Sequence, residues 1–364
     1  MNFVTDYPLT IYAGAHAHRH ICENGLQPQH ITRIIGASGA SKWLTIAGLD
    51  AYIFGSWLAD IDHEIDLFGT SVGAFKLAAA ASANPQARLH QLAQDYAAFG
   101  NEDNSTNLRD AISQSTRTIL HRLLGDGQPN EILSHPYLRF HCGTVKPIGG
   151  FATENRLKQS AILGHVFARS PFRRDELAGY CERVIFSDPR SQRKISQNDS
   201  YHTLQTSLTP DNLVDAVLAS GSMPVYMHPV RHELSGQTHN LYDGGMLDYH
   251  PAPDLFWEKD DGLTLYPHFY DHIKLRWFDK FYPKRRANAA LLDRTILIAP
   301  SAAFVRALPN QRIPSRQDFR HYKNDPETRT QNWLEVVKRS EDLGAAFEEI
   351  ISSDNIANHV NLLS

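Results

Sequence analysis

The chain has 364 residues, of which 42% are hydrophobic, enough for one large α/β domain or two domains with a substantial core. A net charge of −4 gives no global reason to expect a nucleic-acid partner. Three cysteines, Cys22, Cys142 and Cys181, stand far apart and form no Cys-x-x-Cys pair, which argues against a disulfide framework or a zinc site.

The first elements along the chain are a strand over Leu9–Ala13 and a helix over Ala15–Asn24, which a glycine ends. Three histidines of this helix, His16, His18 and His20, have the chemistry of metal ligands. Their spacing of two residues places them on different faces of a helix. We therefore interpret them as a solvated or hydrogen-bonded cluster and predict no metal site.

A second strand is predicted over Ile31–Ile35, followed by a loop of small residues over 36–42 and an apolar helix over 43–58. Backbone amides at the start of a helix can bind an anion or an oxyanion. A phosphate-binding P-loop would need glycine directly before Lys42 and serine or threonine after it, but serine and tryptophan occupy these positions. We therefore do not expect nucleotide binding.

A strand, a sharp turn and a helix are predicted around Gly69-Thr70-Ser71-Val72-Gly73, because an alternating apolar run precedes this stretch and an alanine-rich run follows it. This arrangement is typical of a nucleophile elbow with Ser71 at its apex. We expect Gly69 and Gly73 to permit the backbone angles and the closeness of strand to helix that the turn needs. The helix start also supplies unpaired amides and a positive dipole end for an oxyanion. The alternative is a tight turn whose serine only caps the helix.

The elbow strand is expected to lie beside the strand over 31–35, because one crossover helix connects the two. In a right-handed parallel unit, the carboxyl ends of both strands meet at one edge of the sheet. The sequence therefore predicts that the loop over 36–41 and Ser71 are neighbours at that edge.

The middle of the chain carries regular elements without obvious chemistry. Amphipathic helices are predicted near residues 89–99 and 108–124, and we assign their apolar faces to the core alone. Further strands are predicted over Tyr137–Lys146 and Arg183–Ser187.

Two later stretches carry stronger signals. A helix with Thr209 as its cap and a proline in its first turn is predicted to lead into Ala219-Ser220-Gly221-Ser222-Met223-Pro224. Asp243 then follows a short apolar run and precedes two glycines. By itself, Asp-Gly-Gly usually marks only a turn.

Four of these stretches together resemble the patatin-like phospholipase family in residues, order and spacing. They are the small-residue loop at 36–42, Gly-x-Ser-x-Gly at 69–73, Ala-Ser-x-x-x-Pro at 219–224 and Asp-Gly-Gly at 243–245. The resemblance implies an α/β fold, a patatin-like three-layer sandwich with a mostly parallel central sheet and helices on both faces. It covers roughly residues 9–270, so we predict a catalytic domain over 1–270. A C-terminal extension over 271–364, with a strand and an amphipathic helix, is expected to pack on the same body.

The resemblance also implies a serine acyl hydrolase with a Ser–Asp dyad, in which Ser71 attacks an ester carbonyl and Asp243 is the general base. The implied substrate is a lipid ester, of a phospholipid or lysophospholipid, with a soluble ester or thioester as an open alternative. No cofactor or metal is implied. The supporting positions are the oxyanion loop Gly36, Ala37, Ser38 and Gly39, the elbow glycines Gly69 and Gly73, and Gly244 and Gly245, which would leave room for an acyl chain or solvent.

The small-residue loop departs from the family pattern, which commonly has three successive glycines and then arginine or lysine near a further glycine. Here the loop reads Gly36-Ala37-Ser38-Gly39, so which amides face the oxyanion, and whether Lys42 replaces the basic residue, stay open. This departure motivates one alternative, a catalytically silent lipid- or protein-binding module. Another is a Ser-His-Asp esterase in which His250, His268 or His272 completes a triad.

The segment from Lys274 to Arg320 has eleven lysines or arginines against three aspartates, and its first part interleaves these charges with aromatic residues. It is either an anionic membrane interface or, as we favour, an element that buries its rings and turns its charges outward. Thr295–Ala299 is predicted as the final strand. A last amphipathic helix is predicted from Asn324 to Ile351, docked on the body or, alternatively, binding a partner.

The N-terminal residues show no basic segment followed by an apolar one, and no run of eighteen apolar residues occurs. We therefore expect a soluble protein of the reducing cytoplasm, with peripheral contact to a membrane. Export by a route without a cleaved signal stays an alternative. The expected partners are a phospholipid or other lipid ester and a membrane surface, without nucleic acid, and the oligomeric state stays open.

Overall fold

The structure is a computed structural model that describes residues 7–100, 107–125, 127–196, 198–258, 260–353 and 355–363. Within these ranges the chain forms eleven strands and twelve α-helices. The strands are β1 (Leu9–Ala13), β2 (Ile31–Gly36), β3 (Ile65–Thr70), β4 (Leu138–Pro147), β5 (Cys181–Ser187), β6 (Thr203–Ser207), β7 (Val230–Leu234), β8 (Gln237–Asp243), β9 (Leu263–Pro267), β10 (Thr295–Pro300) and β11 (Val360–Leu362). The helices are α1 (Ala15–Asn24), α2 (Ala47–Tyr52), α3 (Val72–Ala80), α4 (Pro85–Ala97), α5 (Leu108–Leu124), α6 (Gln128–Ser134), α7 (Arg156–Arg169), α8 (Leu213–Gly221), α9 (Ala302–Ala307), α10 (Asp318–His321), α11 (Pro326–Arg339) and α12 (Glu341–Ile351).

The sheet has the strand order β11-β1-β10-β9-β2-β3-β4-β5-β6, and off this path β8 pairs with both β4 and β7. The five central strands, from β10 to β4, run parallel to one another. On the two sides, β1 and β5 join them antiparallel. Helices pack around the sheet. The predicted α/β class with a mostly parallel central sheet is therefore confirmed.

β2 and β3 are parallel neighbours near the centre of the sheet, with Gly36 paired to Gly69. All six residues of β3 are buried, as expected for a parallel strand that is covered on both faces. Because both strands end at the same edge, the loop after β2 reaches the elbow at Ser71, as predicted.

The helix predicted over 43–58 is divided into three shorter helical segments. They are a 3-10 helix (Ala40–Ile46), α2 and a π-helix (Ile53–Trp57). Tertiary contacts accompany the division: the Trp43 indole N–H donates to buried Asp50 at 2.7 Å. In addition, α12 lies so close that a Cβ atom at Gly48 would be 2.5 Å from the Glu341 nitrogen. Neither contact is visible in the local apolar pattern.

The helix predicted to start at Thr209 begins later, because α8 starts at Leu213. The Thr209 N–H donates to the side chain of Asn212 at 2.9 Å, and the Asn212 N–H donates back to the Thr209 hydroxyl at 3.3 Å. This reciprocal turn satisfies both amides without a helix, so the predicted cap is wrong.

The C-terminal part of the chain contributes more than the predicted strand and helix. β10 lies between β1 and β9, and β11 adds a further strand beside β1, so the strand near residues 295–299 is not the final one. The last helix is divided at Ser340 into α11 and α12. The Ser340 hydroxyl donates to the Val337 carbonyl at 2.6 Å and accepts from the Gly48 N–H at 2.8 Å. Both helices pack against α2 and bury apolar side chains such as Phe347.

Candidate active site

Ser71 lies at the junction of β3 and α3 with φ 55° and ψ −130°, a positive-φ backbone conformation that is unusual for a residue other than glycine. Two hydrogen bonds hold it there. The Ser71 N–H donates to the Ser220 hydroxyl at 3.0 Å, and that hydroxyl donates to the Gly143 carbonyl at 2.7 Å. Ser220 belongs to α8 and Gly143 to β4, so two neighbouring elements fix the turn.

Close backbone packing requires the two glycines of the elbow. A Cβ atom at Gly69 would lie 2.5 Å from the carbonyl carbon of Gly73, and one at Gly73 would lie 2.1 Å from the Gly36 carbonyl oxygen. The predicted closeness of strand and helix is thus confirmed. The other predicted reason, special backbone angles at the glycines, is wrong, because the positive φ falls on Ser71 itself.

Asp243 is the last residue of β8, which pairs with β4 through Thr144. Its backbone N–H donates to the Ser222 carbonyl at 2.9 Å. Its side chain accepts two hydrogen bonds, from the Gly245 N–H to Oδ1 at 2.7 Å and from the Ser71 hydroxyl to Oδ2 at 2.9 Å. The fold thus brings together two predicted site residues that are 172 positions apart in the chain.

The two glycines after Asp243 do not leave open space, contrary to the prediction. A Cβ atom at Gly244 would lie 2.0 Å from the Gly143 carbonyl oxygen, and one at Gly245 would lie 2.2 Å from the Ser38 hydroxyl oxygen. These positions must stay bare so that the Asp243 loop can lie against β4 and the loop after β2. The glycines therefore position the carboxylate.

Two of the four predicted oxyanion residues, Gly36 and Ser38, are already engaged in the fold. Gly36 is the last residue of β2, and Ala37 is buried beside it. The Ser38 N–H donates to the Tyr249 carbonyl at 2.9 Å, and its hydroxyl lies 2.8 Å from that of Thr70. Ser38 therefore joins the loop to β3 and to the segment after Asp243, and its amide is not free.

The fourth predicted residue, Gly39, precedes the 3-10 helix that begins at Ala40. The amides of Ala37, Gly39 and Ala40 donate to no other residue in the described ranges. A Cβ atom at Gly39 would lie 2.5 Å from the Phe269 ring, so glycine is needed here for packing. Ala40 lies on the wall of the cavity that contains Ser71. Unpaired amides are therefore found on both sides of Ser38, at Ala37 and at the end of the loop that is nearest to the helix start.

A cavity of about 420 Å³ lies beside Ser71. Its wall is formed by α3, α4, α5, the residues after α8 and the segment over 316–320. Most of this wall is apolar and includes Phe75, Phe99, Leu108, Ile112, Ile119 and Met223. The assignment of the α4 and α5 faces to the core alone is therefore wrong. An apolar period identifies a buried face without distinguishing a packed neighbour from a cavity.

A family model described as Patatin-like phospholipase matches residues 51–256, more than half of the chain. The chain belongs to the patatin-like phospholipase family.

Two solved structures are similar to this patatin-like chain at low identity. Human GIVD cytosolic phospholipase A2 is 11% identical with a TM-score of 0.39, and the match covers 97% of this chain and 66% of that one, just under two thirds. VipD from Legionella pneumophila is 11% identical with a TM-score of 0.31, and the match covers 99% of this chain and 76% of that one. A comparison with curated proteins gives no match.

The carboxylate in the patatin-like site has an unusual pKa. Asp243 is 1% exposed, and burial raises its pKa to about 6. The hydrogen bonds from Ser71 and Gly245 act in the opposite direction, as do the positive charges of Arg316 and Lys280. At neutral pH the carboxylate is therefore mostly ionised and able to accept a proton.

The histidines of the alternative triad form their hydrogen bonds elsewhere. Nδ1 of His250 lies 3.1 Å from Nε2 of His268, and His272 contacts the neighbouring aspartate at 2.6 Å. Burial lowers the pKa of His268 to about 3, which keeps its ring neutral. In the part of the chain that the structure describes, no histidine is hydrogen-bonded to Ser71 or Asp243.

A buried ion pair that could not be predicted from the sequence supports the Asp243 loop. Two guanidinium nitrogens of Arg183 donate to the two carboxylate oxygens of Asp248, each at 2.8 Å, and a third donates to Asp199 at 3.0 Å. The Asp248 carbonyl accepts from the Thr70 hydroxyl at 2.7 Å. The pair thereby fixes Asp248 to β5, and the Thr70 hydrogen bond connects the elbow strand to the same residue. In the sequence, the one local signal of this ion pair is the position of Arg183 inside an apolar strand.

A second missed ion pair lies behind the elbow. Lys76 of α3 is 2% exposed, and its ammonium group donates to both carboxylate oxygens of Asp50 at 3.0 Å. Asp50 belongs to α2, so the pair fixes the elbow helix to the preceding helix. The signal in the sequence was a lysine within an alanine-rich run, although its partner could not be inferred from local pattern.

Proposed function

We propose that the protein is a serine acyl hydrolase that cleaves carboxylic esters of phospholipids or lysophospholipids through an acyl-Ser71 intermediate. The observation that carries this proposal is the 2.9 Å hydrogen bond from the Ser71 hydroxyl to Asp243 beside an apolar cavity, in a member of the patatin-like phospholipase family. A serine hydroxyl that donates to a buried carboxylate is suited to lose its proton as its oxygen attacks.

The reaction proceeds in two steps through this pair. Ser71 Oγ attacks the ester carbonyl carbon while its proton moves to Asp243, and the ester C–O bond then breaks as Asp243 returns the proton to the leaving alcohol. Asp243 next takes a proton from water, whose oxygen attacks the acyl carbon. The Ser71 oxygen leaves and recovers the proton, which releases the carboxylic acid.

We assign the negative oxygen of the intermediate to backbone amides of the loop over 36–40. The unpaired amides of Gly39 and Ala40 support this assignment, because both lie at the start of a helix near Ser71. Each such donor contributes on the order of a few kcal/mol to the stability of the transition state. The apolar cavity suits the acyl chain.

We also propose that the protein contacts an anionic phospholipid surface peripherally through an aromatic patch, defined as Phe167, Phe172 and Phe281. Phe172 is 91% exposed and Phe281 53% exposed, and the ring of Phe281 lies 5.2 Å from that of Phe167. The exposed guanidinium groups of Arg169 and Arg173 lie in the same segment as Phe167 and Phe172, and they share one carboxylate, that of Glu176, at 2.8 Å and 4.0 Å, so the three groups together carry a net positive charge. Aromatic rings beside cations suit the headgroup region of a membrane. No helix in the described ranges has the length and apolarity needed to cross a bilayer.

The test of the catalytic proposal is labelling with a fluorescent fluorophosphonate, with the labelled residue located by mass spectrometry. We expect the label on Ser71, its loss in Ser71→Ala and a strong reduction in Asp243→Asn. Release of fatty acid from phospholipid vesicles is expected to follow the same order. Absence of both label and hydrolysis, under conditions where a control serine hydrolase reacts, would support the silent binding module.

The same assay separates the dyad from the triad alternative. If the enzyme uses a Ser–Asp dyad, replacement of His250, His268 or His272 by alanine is expected to preserve most of the labelling rate. A loss as large as that of Asp243→Asn in one correctly folded histidine variant would assign that histidine to the reaction instead.

A further inference from the structure

The side chain of Ser41 is buried beside the predicted nucleophile without a hydrogen-bond partner. Ser41 lies next to Ala40 on the wall of the cavity that contains Ser71. It is 1% exposed, and its hydroxyl oxygen has no hydrogen-bond partner among the residues that the structure describes. Buried hydroxyls usually have a partner, because the loss of their hydrogen bonds to water is costly. This hydroxyl therefore needs an acceptor that the free protein does not supply.

Other buried hydroxyls around the elbow do have partners. The Thr70 hydroxyl lies 2.8 Å from that of Ser38, and the Ser220 hydroxyl donates to the Gly143 carbonyl at 2.7 Å. These hydrogen bonds join the strands and loops on which the dyad lies. A general lack of acceptors near the elbow therefore does not explain the state of Ser41.

The segment that carries Ser41 is anchored to the elbow helix. The Trp43 indole N–H donates to buried Asp50 at 2.7 Å, and the Asp50 carboxylate accepts from the Lys76 ammonium group at 3.0 Å. Lys76 belongs to α3, which begins directly after Ser71. Buried hydrogen bonds to charged groups restrict the positions of the elements that they join. The position of Ser41 relative to Ser71 is therefore fixed by the fold.

A charged acceptor arises at this cavity during the proposed reaction. When Ser71 attacks an ester carbonyl, the electron pair of the C=O bond moves onto the oxygen, which becomes negative. A hydrogen bond from a neutral hydroxyl to a negative oxygen is stronger than one between neutral groups. Because the Ser41 hydroxyl has no acceptor in the described part of the free protein, it can form this bond without breaking another. Such a donor favours the transition state over the bound substrate.

We propose that the Ser41 hydroxyl donates a hydrogen bond to the negative oxygen of the tetrahedral intermediate, beside the backbone amides of the loop. This inference rests on the proposed hydrolase function and adds a further catalytic residue to it. The hydroxyl keeps its proton throughout, since the Ser71 proton still moves to Asp243. When the C=O bond forms again and the bond to the alcohol breaks, the oxygen loses its charge and the hydrogen bond weakens.

The test compares Ser41→Ala with Thr45→Val in the hydrolysis of p-nitrophenyl octanoate. Thr45 is a matched control: it lies in the same 3-10 helix, is fully buried and has a hydroxyl without a partner among the described residues, but it is not one of the residues that line the cavity. We expect Ser41→Ala to lower kcat roughly hundredfold with little change in KM. Both steps of the reaction form a negative oxygen, so the loss does not depend on which step is slower. Thr45→Val should keep the wild-type kcat.

A transition-state analogue gives a second readout. A trifluoromethyl ketone with an octyl chain forms a hemiketal with Ser71, whose oxygen is negative, whereas the alcohol obtained by reducing this ketone has the same chain but no carbonyl to attack. In Ser41→Ala, the affinity for the ketone should fall by about the same factor as kcat/KM, and the affinity for the alcohol should stay unchanged. A variant that raises KM alone, or weakens both ligands equally, would assign the hydroxyl to substrate binding and overturn its role at the oxyanion.

Urea unfolding separates catalysis from folding. Neither substitution removes a hydrogen bond within the described residues, so the unfolding midpoint should stay unchanged or rise in both variants. A lower midpoint in Ser41→Ala would show that the hydroxyl has a structural partner, which would overturn the proposal. Equal losses of activity in the two variants would also overturn it, because they would report the packing of the helix.

Fluorophosphonate labelling of Ser71 in the wild type keeps this test separate from that of the proposed function. A wild type that neither labels nor hydrolyses would remove the hydrolase function and the role of Ser41 together. A wild type that does both, with an unchanged kcat in Ser41→Ala, would overturn the role of Ser41 and leave the hydrolase intact.

Discussion

The hydroxyl of Ser220 accepts a hydrogen bond from the backbone N–H of Ser71 at 3.0 Å and donates one to the Gly143 carbonyl at 2.7 Å. One side chain thus connects the elbow to both α8 and β4. Because Ser71 has a positive φ, its conformation depends on such external contacts.

Ser220→Ala should therefore damage both stability and activity. It leaves the Ser71 N–H and the Gly143 carbonyl without their common partner, so we expect a loss of roughly 1–3 kcal/mol in the free energy of unfolding. The matched control is Ser222→Ala, because the hydroxyl of Ser222, which directly follows α8, donates only to the Leu218 carbonyl of that helix among the described residues. Urea unfolding and the fluorophosphonate labelling rate check both variants. Equal effects of the two substitutions would contradict the role of Ser220.

Asp243→Asn should remove activity while stabilising the fold. Burial raises the pKa of Asp243 from its ordinary value of 3.8 to about 6, so the contribution of this group to stability is full below pH 4 and is lost as pH rises through 6. Asparagine avoids the ionisation and can still accept from the Gly245 N–H. A shift of about two pKa units corresponds to about 3 kcal/mol at most.

The sign of this prediction is tested by unfolding wild type and Asp243→Asn in urea at pH 4.5 and pH 8. We expect the free energy of unfolding of the variant, relative to that of the wild type, to be higher at pH 8 than at pH 4.5. If the two proteins differed by the same free energy of unfolding at both pH values, the ionisation of Asp243 would not be costly in the folded state.

The elbow could be predicted from the sequence because its parts carry local signals. β3 and α3 differ in their apolar periods, and Gly-x-Ser-x-Gly separates them. The partner of Ser71, in contrast, carries no local signal of its role. Asp243 is 172 positions away, and Asp-Gly-Gly alone indicates a turn, so only the family resemblance linked the two before the fold did.

Features that depend on how distant surfaces meet could not be predicted. The break at Ser340 arises where α2 meets the C-terminal helices, through a hydrogen bond to Gly48 at 2.8 Å. The cavity beside α5 gives the same apolar period as a packed core. The role of Gly245 depends on its distance to Ser38, which lies in another part of the chain.

Gly245→Ala should therefore be far more harmful than an ordinary glycine substitution. The new Cβ atom would lie 2.2 Å from the Ser38 hydroxyl oxygen and 2.9 Å from Oδ1 of Asp243. Displacement of the carboxylate should lower the labelling rate at least roughly tenfold, since the base must stay within hydrogen-bond reach of Ser71. Gly164→Ala in α7 is the control, because nothing lies within 4 Å of its new Cβ atom, and helix propensity favours alanine there by about 1 kcal/mol. Full activity of Gly245→Ala would show that the close approach is not required.

The pH dependence of labelling should report the ionisation of Asp243. Only the unprotonated carboxylate can accept the Ser71 proton, so the rate should rise with pH through a midpoint near 6. Because the charge of Arg316 lowers this pKa, Arg316→Gln should move the midpoint upward, whereas Lys284→Gln, which removes one charge from an exposed lysine, should not. A neutral fluorophosphonate suits the measurement, since its own charge does not change with pH. A midpoint that is unchanged in Arg316→Gln would remove the proposed influence of that charge on the base.

The aromatic patch should govern binding to anionic vesicles. Phe172→Ser removes a ring that is 91% exposed in the free protein, and we expect vesicle affinity in sedimentation assays to fall roughly tenfold, because the ring can no longer enter the headgroup region. Leu362→Ser is the matched control, since Leu362 is 60% exposed but lies in β11. Affinity should also fall with added salt, because Arg169 and Arg173 share only one carboxylate, that of Glu176, and the attraction of the remaining positive charge to anionic lipid is screened. Equal vesicle binding by the two variants would show that the exposed rings near α7 face water rather than membrane.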